Sequence, residues 1–183
     1  MARIFILATL YIFLKNNKRK EVNGLTTFIE IYEDWMLPII NDYRIDNLYK
    51  QDKKEILYEY LRGFLINGLS DFDCIKPLTY HKEVIQNSKG EDEEVYVFDY
   101  ELDSDEKKII SEIAVSKYFK RVIQDVKARM PYMSQREFKK EATAPVMKEN
   151  DKWYDQLVSE YMQDISNYNI KHIKELDYWK DYS

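Results

Sequence analysis

A single cysteine, Cys74, in a chain of 183 residues excludes an internal disulfide and any zinc cluster built on cysteine. It fits a reducing compartment or a buried thiol. The two histidines, His81 and His172, stand far apart and belong to no ligand-spaced motif. A metal site made only of carboxylates has no signature here. With only four glycines, a backbone nest for phosphate is not expected, and no Gly-rich phosphate loop occurs. G-x-S-x-G, H-E-x-x-H and paired C-x-x-C are absent too. No internal repeat of solenoid period and no low-complexity tract is present. The sequence therefore points to no cofactor, no metal and no enzymatic reaction.

Long apolar runs are equally scarce. Ile4 to Leu14 is apolar apart from Thr9, yet it falls short of the about 20 residues a membrane span needs. Lys15-Asn16-Asn17-Lys18-Arg19-Lys20 follows it where a secretory signal would have small residues. The run reads as a buried strand or helix docked on another subunit, since alone it is an adhesive patch. An extension from an upstream start codon is the other reading. The basic cluster Lys18–Lys20 suits a solvated linker, or a touch on nucleic acid or anionic lipid.

What the chain has in quantity is tyrosine and unevenly placed charge. Sixteen tyrosines supply apolar area tipped with a hydroxyl, suited to the edge of a core or to a surface that a partner buries. The net charge of −5 argues against a general nucleic-acid coat. Residues 91–106 carry nine acids and no Lys or Arg, whereas 107–148 carry eleven Lys/Arg against four acids. An acidic block beside a basic one invites pairing within a chain or between copies, and a solvated helix face explains the basic part as well.

Helical periodicity and start signals organise the rest. The best-specified stretch is Asp103 to Arg129, opened by the capping-box pair Asp103 and Glu106 and closed before Pro131. Its apolar positions are Ile109, Ile110, Ile113, Val115, Tyr118, Phe119, Val122, Ile123 and Val126. Thr27 and Glu30 start an earlier helix bearing Phe28, Ile31, Tyr32, Trp35, Ile39 and Ile40, which Pro38 bends or ends. A second runs from about Asp52 to Leu69 with Ile56, Leu57, Tyr60, Leu61, Phe64, Leu65 and Leu69 as its stripe, and Gly68 near its end.

Ile75 to His81 and Val95 to Tyr100 read as two short strands, the second with Tyr96, Phe98 and Tyr100 on one side. Gln86 to Gly90 and the four acids after it read as a polar hairpin tip. Ser134 and Glu137 start a short helix to about Thr143. A last helix, entered through Pro145, carries Val146, Trp153, Leu157, Tyr161, Met162 and Ile165 and ends near Asn167–Asn169.

The expected fold is mostly α: four to five helices bundled around a central helix at about 103–129, with a small β-hairpin at about 75–100. Residues 1–24 form an apolar and basic N-terminal segment, 25–169 one helical domain with the hairpin inserted, and 170–183 a tail whose Tyr178, Trp179 and Tyr182 are loose or dock on a partner. Two chemical candidates remain. Asp71-Phe72-Asp73 has the spacing of an acid/base carboxylate pair, though such neighbours occur on most proteins. Cys74 and His81 have the residue types of a nucleophile and base without any surrounding motif.

The order of parts carries a resemblance. Two amphipathic helices, an acidic hairpin and a helix opened by Leu102-Asp103-Ser104-Asp105-Glu106 lead into Met133-Ser134-Gln135-Arg136-Glu137-Phe138. A helix beginning near Ala142 follows, and then a tyrosine-rich stretch with Trp153, Tyr154, Tyr161 and Tyr168. Over roughly residues 25–169 this layout resembles the head-to-tail connector, or adaptor, proteins in the neck of tailed bacteriophages, although no diagnostic motif accompanies it. The resemblance implies a structural virion protein that forms a ring, commonly a dodecamer, below the portal. It implies contact with the portal protein and with a downstream neck or tail protein, assembly in the host cytoplasm, no membrane, and DNA only in non-specific passage through the channel. Lys117, Lys120, Arg121 and Lys127 would then face a neighbour's Glu91, Asp92, Glu93 and Glu94, or line the channel. The competing reading is a small helical regulatory or DNA-associated protein, suggested by the basic span 107–148.

Overall fold

The computed structural model describes residues 21–22, 24–40, 42–50, 53–74, 77–86, 92–129, 132 and 144–173. The expected short helix from Ser134 to about Thr143 and the apolar run Ile4 to Leu14 lie outside them. The architecture is mostly helical with a small antiparallel hairpin, in agreement with the sequence. In order, the elements are β1 (Glu21–Val22), β2 (Leu25–Thr26), α1 (Phe28–Glu30), a π-helix (Ile31–Met36), α2 (Tyr43–Lys50) and α3 (Lys54–Leu69). Strands β3 (Tyr80–Gln86) and β4 (Asp92–Phe98) follow, then α4 (Ser104–Arg129) and α5 (Ala144–His172). By its internal contacts the chain divides into two compact units: Met1–Arg62 with Leu78–Lys107, and Gly63–Pro77 with Lys108–Ser183.

In the first unit, β1 and β2 pair around Gly24, whose φ of 77° suits a residue without Cβ. Thr27 caps α1, its Oγ1 accepting from the Glu30 amide at 3.1 Å. The capping box is half used here, because the Glu30 carboxylate is engaged by Lys107 at 2.8 Å. After Glu30 the helix widens, and Leu37 N–H donates to Tyr32 O at 2.9 Å in the five-residue spacing of a π turn. Phe28, Ile31, Tyr32 and Met36 are buried from this segment, and Leu57 and Leu61 from α3.

The hairpin is registered from Tyr80↔Phe98 to Gln86↔Asp92. This corrects the expected first strand: it begins at Tyr80, residues 77–79 stand outside it, and Ile75 and Lys76 lie outside the described residues. Pro77 brings no N–H to a ladder, and the observed register pairs Val95 and Val97 against residues of the 81–83 stretch instead. The same register places Asp92, Glu93 and Glu94 within β4 rather than in the tip. Strand β4 is buried on both faces towards its end: Phe98 lies against Phe28, while Val95 and Val97 pack with Leu25, Ile29 and Ile85.

Asp103 and Glu106 form the full reciprocal box that opens α4. The Glu106 amide donates to Asp103 Oδ1 at 2.8 Å and the Asp103 amide to Glu106 Oε2 at 2.9 Å. Buried Thr26 accepts from the Leu102 amide at 2.9 Å, tying β2 to the entry of that helix.

The second unit is built on the remainder of α4. From Ile109 to Ser116 every residue is buried, including Ser111, Glu112 and Ser116, so this is a core segment on all sides rather than an amphipathic one. Ser111 and Ser116 satisfy their hydroxyls on carbonyls one turn back, those of Lys108 and Ile113, each at 2.7 Å. Helix α5 contributes Leu157, Tyr161 and Tyr168 to the core and runs to His172, past the expected stop at 167–169. The Tyr168 and His172 rings, one turn apart, lie 4.3 Å from each other across that last turn. Trp153 is part-exposed but meets Phe119 edge-on at 4.2 Å. Met162, expected in the core, is exposed.

Gly68 is a packing position and not a helix stop. A Cβ there would meet Ile113 Cγ2 at 3.2 Å and the Ala114 amide nitrogen at 3.3 Å. Gly63, one to two turns earlier on α3, has open space where a Cβ would stand. Gly63→Ala is therefore expected to stabilise the chain by about 0.5–1 kcal/mol through helix propensity alone. Gly68→Leu is expected to cost about 2 kcal/mol or more, because backbone on α4 has to give way. Thermal unfolding followed by circular dichroism orders the two against wild type, and equal melting temperatures would contradict this packing.

Candidate functional site

The residues expected to carry intersubunit or channel contacts fall in different units and are engaged locally. On α4, Lys117 is half-buried and its ammonium is bonded to the Asp71 carboxylate. Arg121 is exposed and pairs with Asp125 one turn on, at 3.2 Å. Lys127 reaches Asp151 of α5 at 3.1 Å. Lys120 is exposed and adds its positive charge to the surroundings of Asp71. Lys120, Arg121 and Lys127 are exposed beyond the buried segment of α4, and exposed pairs are worth about 0–1 kcal/mol each.

Of the acidic block, Glu91 lies outside the described residues. Asp92 and Glu94 are exposed on β4, Glu93 is half-buried, and Glu94 is bonded to Lys82 across the hairpin at 2.7 Å. That bond holds Glu94 below the usual carboxylate range and Lys82 above the usual ammonium one. The Lys82 ammonium also stands over the Tyr96 ring at 5.3 Å, and the Arg62 guanidinium stands 5.2 Å from the same ring.

The acid/base candidates fare differently. Asp71 is bonded to Lys117, which first of all holds its carboxyl below the usual range, with Ser70 and Lys120 adding to the effect. It is thus a fixed anion, not a proton donor. Asp73 is exposed, and its backbone carbonyl accepts from the Asn169 side-chain Nδ2 at 3.0 Å. Cys74 is half-buried. His81 Nδ1 lies 2.5 Å from Asp99 Oδ1 on an exposed part of the hairpin. The hydrogen bond from Thr79, followed by that to His81, holds Asp99 below its usual range. Among the described residues no group of three or more His, Cys, Asp or Glu is arranged to hold a metal ion. No helix among them is long and apolar enough to cross a membrane.

Two polar centres were not anticipated from the sequence. The first is Glu33, set on the π-helix, whose Oε1 accepts from Tyr58 Oη, from Lys54 Nζ at 3.3 Å and from Tyr49 Oη at 3.5 Å. Three donors, Tyr49 of α2 and Lys54 and Tyr58 of α3, thus converge on one carboxylate oxygen. The second is Glu112, 8% exposed within the buried stretch of α4. Its Oε1 lies 3.7 Å from Lys108 Nζ, which is itself bonded to Asp164 of α5 at 2.6 Å, while Oε2 is enclosed without a hydrogen-bond partner. Burial pushes the Glu112 carboxyl up to about 7. Lys108 opposes that rise, and the negative charges of Asp164 and Glu160 add to it. A hint existed in each case: an acid inside a helical apolar pattern, with Tyr32 and Trp35 near Glu33, and Ile110 and Ile113 near Glu112.

Comparison with known proteins finds no family, no curated protein and no solved structure that matches the chain.

Proposed function

We propose that the chain is a structural virion protein of a tailed bacteriophage: a ring-forming head-to-tail connector that binds the portal and extends the DNA channel towards the tail. The supporting observation is the segregation of charge on a mostly helical scaffold. Lys117, Lys120, Arg121 and Lys127 follow one another along the accessible part of α4, while Asp92, Glu93 and Glu94 stand together on β4. The pairs that Arg121, Lys127 and Glu94 make are exposed ones, so their exchange for partners on a neighbouring copy costs little.

In this reading each copy presents its acidic strand to the basic helix of the next, giving the head-to-tail contact that closes a ring. DNA passes through without being read, and the portal and the next neck or tail component bind the two ends of the ring. The experiment is mass photometry and electron microscopy of the full chain, alone and with portal protein, at low and high salt. Rings or a portal-bound state that weaken with salt, and that are lost in a Lys120→Glu, Arg121→Glu double variant, support the reading. A chain that stays monomeric and never associates with portal or capsid overturns it. The rival reading, a DNA-associated helical protein, uses the same basic span and predicts salt-dependent retention on duplex DNA without rings.

A further inference from the structure

Where α4 meets the middle of α5, one ammonium and three carboxylates come together. Lys108 and Glu112 stand one turn apart on α4, and Glu160 and Asp164 one turn apart on α5. Lys108 Nζ is bonded to Asp164 Oδ2 at 2.6 Å and lies 3.7 Å from Glu112 Oε1. Glu112 is the buried member, its side chain 10% exposed against 26% for Asp164. Its carboxyl comes within hydrogen-bonding reach of the Asp164 carboxylate. Two ionised carboxylates can only accept, so that contact is a hydrogen bond only while one of them carries a proton. Helix α3 meets this stretch of α4 through Gly68, against Ile113 and Ala114, and through Phe64, against Tyr118. Those contacts bring no charge to Glu112.

We infer that this cluster is a proton-operated latch between α4 and α5, a pH-sensitive device within the second unit. When it is closed, Glu112 carries the proton and donates it to Asp164, which stays ionised beside Lys108. Glu160 then has its own donor, Gln156 Nε2 at 2.8 Å. When it is open, the proton has passed to solvent and three carboxylates share one ammonium. A charge this deeply buried without a donor of its own is too costly to keep dry, so water has to reach it. The α4 side cannot give way, since Ile109, Ile110 and Ile113 are at most 1% exposed. Helix α5 is held less deeply, by Leu157 and Tyr161 at 6% and 7%, so the turn from Leu157 to Asp164 is the part that loosens. Burial favours the closed form and raises the Glu112 carboxyl to about 7, so the latch is closed in mild acid and opens as pH rises through neutrality.

The latch does not depend on the ring contact proposed above. Native-state amide exchange of the full chain, corrected for the intrinsic pH dependence of exchange, tests it at about pH 5 and about pH 8. Protection of residues 157–164 is expected to fall about tenfold or more at the higher pH, with Ile109–Ser116 changing much less. Glu112→Gln, whose amide donates to Asp164 at every pH, should keep α5 protected throughout. Asp164→Asn removes a like charge and releases Lys108 to Glu112. The Glu112 carboxyl carbon, followed by NMR, should then titrate about one pH unit or more below wild type.

Equal protection of 157–164 at the two pH values overturns the latch. So does a loss spread evenly over α4 and α5, which is general destabilisation without a moving part. If Glu112→Gln loses α5 protection as wild type does, another group titrates and the latch is rejected. A Glu112 midpoint that Asp164→Asn leaves in place shows that burial alone holds the proton, and rejects the shared bond.

Discussion

Raising the pH from about 5 to about 8 is expected to destabilise the folded chain by about 2 kcal/mol, and Glu112→Gln to remove most of that loss. Glu112 titrates near 4.5 when unfolded and near 7 when folded. Between those values the folded state holds a proton that the unfolded state has released. Stability therefore falls as pH rises through the window, is full below about 4.5 and is fully lost above about 7. The cause is local. The side chain is buried within the core stretch Ile109–Ser116, its Oε2 has no hydrogen-bond partner, and Asp164 and Glu160 stand near with like charge. Lys108 moderates the effect without cancelling it, since at 2.6 Å it is committed to Asp164 and is 3.7 Å from Glu112.

Urea unfolding followed by circular dichroism at several pH values checks this. Wild type should lose stability steadily across the window, while the glutamine variant should be nearly flat and the more stable of the two at the alkaline end. Identical pH slopes in the two proteins would show that Glu112 is not the titrating group. The carboxylates held low, Asp71 by Lys117, Glu94 by Lys82 and Asp99 by Thr79 and His81, act in the opposite sense and only at more acidic pH. Their contribution is lost as pH falls, so they do not blur the window that belongs to Glu112.

How far the sequence could lead is clearest at particular residues. The start of α4 was legible because a capping box is local chemistry: Asp103 and Glu106 need only each other's amides. Thr27 was legible for the same reason, but Glu30 was not, since its carboxylate is taken by Lys107, far along the chain. Burial of α3 was only half legible. Leu57, Leu61 and Leu65 are buried as expected, yet Ile56 and Tyr60, which share the apolar stripe on paper, are 60% and 44% exposed. A single helix cannot reveal how wide a stripe its neighbours cover. Helix α2 went unanticipated because it is short and polar overall, eight residues with Ile45 as a buried anchor.

The hairpin register depended on long-range pairing with Val95 and Val97, which no pattern in 75–81 discloses. As for the candidate site, the charges were legible but their partners were not. Asp71, Asp151 and Lys82 are brought to Lys117, Lys127 and Glu94 by tertiary structure alone.

Phe28→Ala should be the most damaging single truncation in the first unit, at about 4 kcal/mol. Phe28 is 2% exposed and its ring is shared by four others, with centroids at 4.9 Å to Phe98, 5.1 Å to Tyr80, 5.5 Å to Tyr96 and 6.3 Å to Tyr32. It thus joins the start of α1 to both strands of the hairpin. Deleting the ring removes apolar burial and leaves a cavity, and it also forfeits several edge and offset ring contacts worth about 0.5–1.5 kcal/mol each. A two-stranded hairpin has little stability of its own, so it depends on this packing.

The loss should consequently be local as well as global. Amide hydrogen exchange in Phe28→Ala is expected to quicken most across Tyr80–Gln86 and Asp92–Phe98, ahead of the Ile109–Ser116 stretch of α4. Phe28→Leu, which refills much of the volume but restores no ring contact, should cost about half as much. If the alanine variant melts within a degree or two of wild type, or if exchange in the hairpin is unchanged, the aromatic cluster does not hold the hairpin. The strand β4 that carries Asp92, Glu93 and Glu94 would then be held by another support.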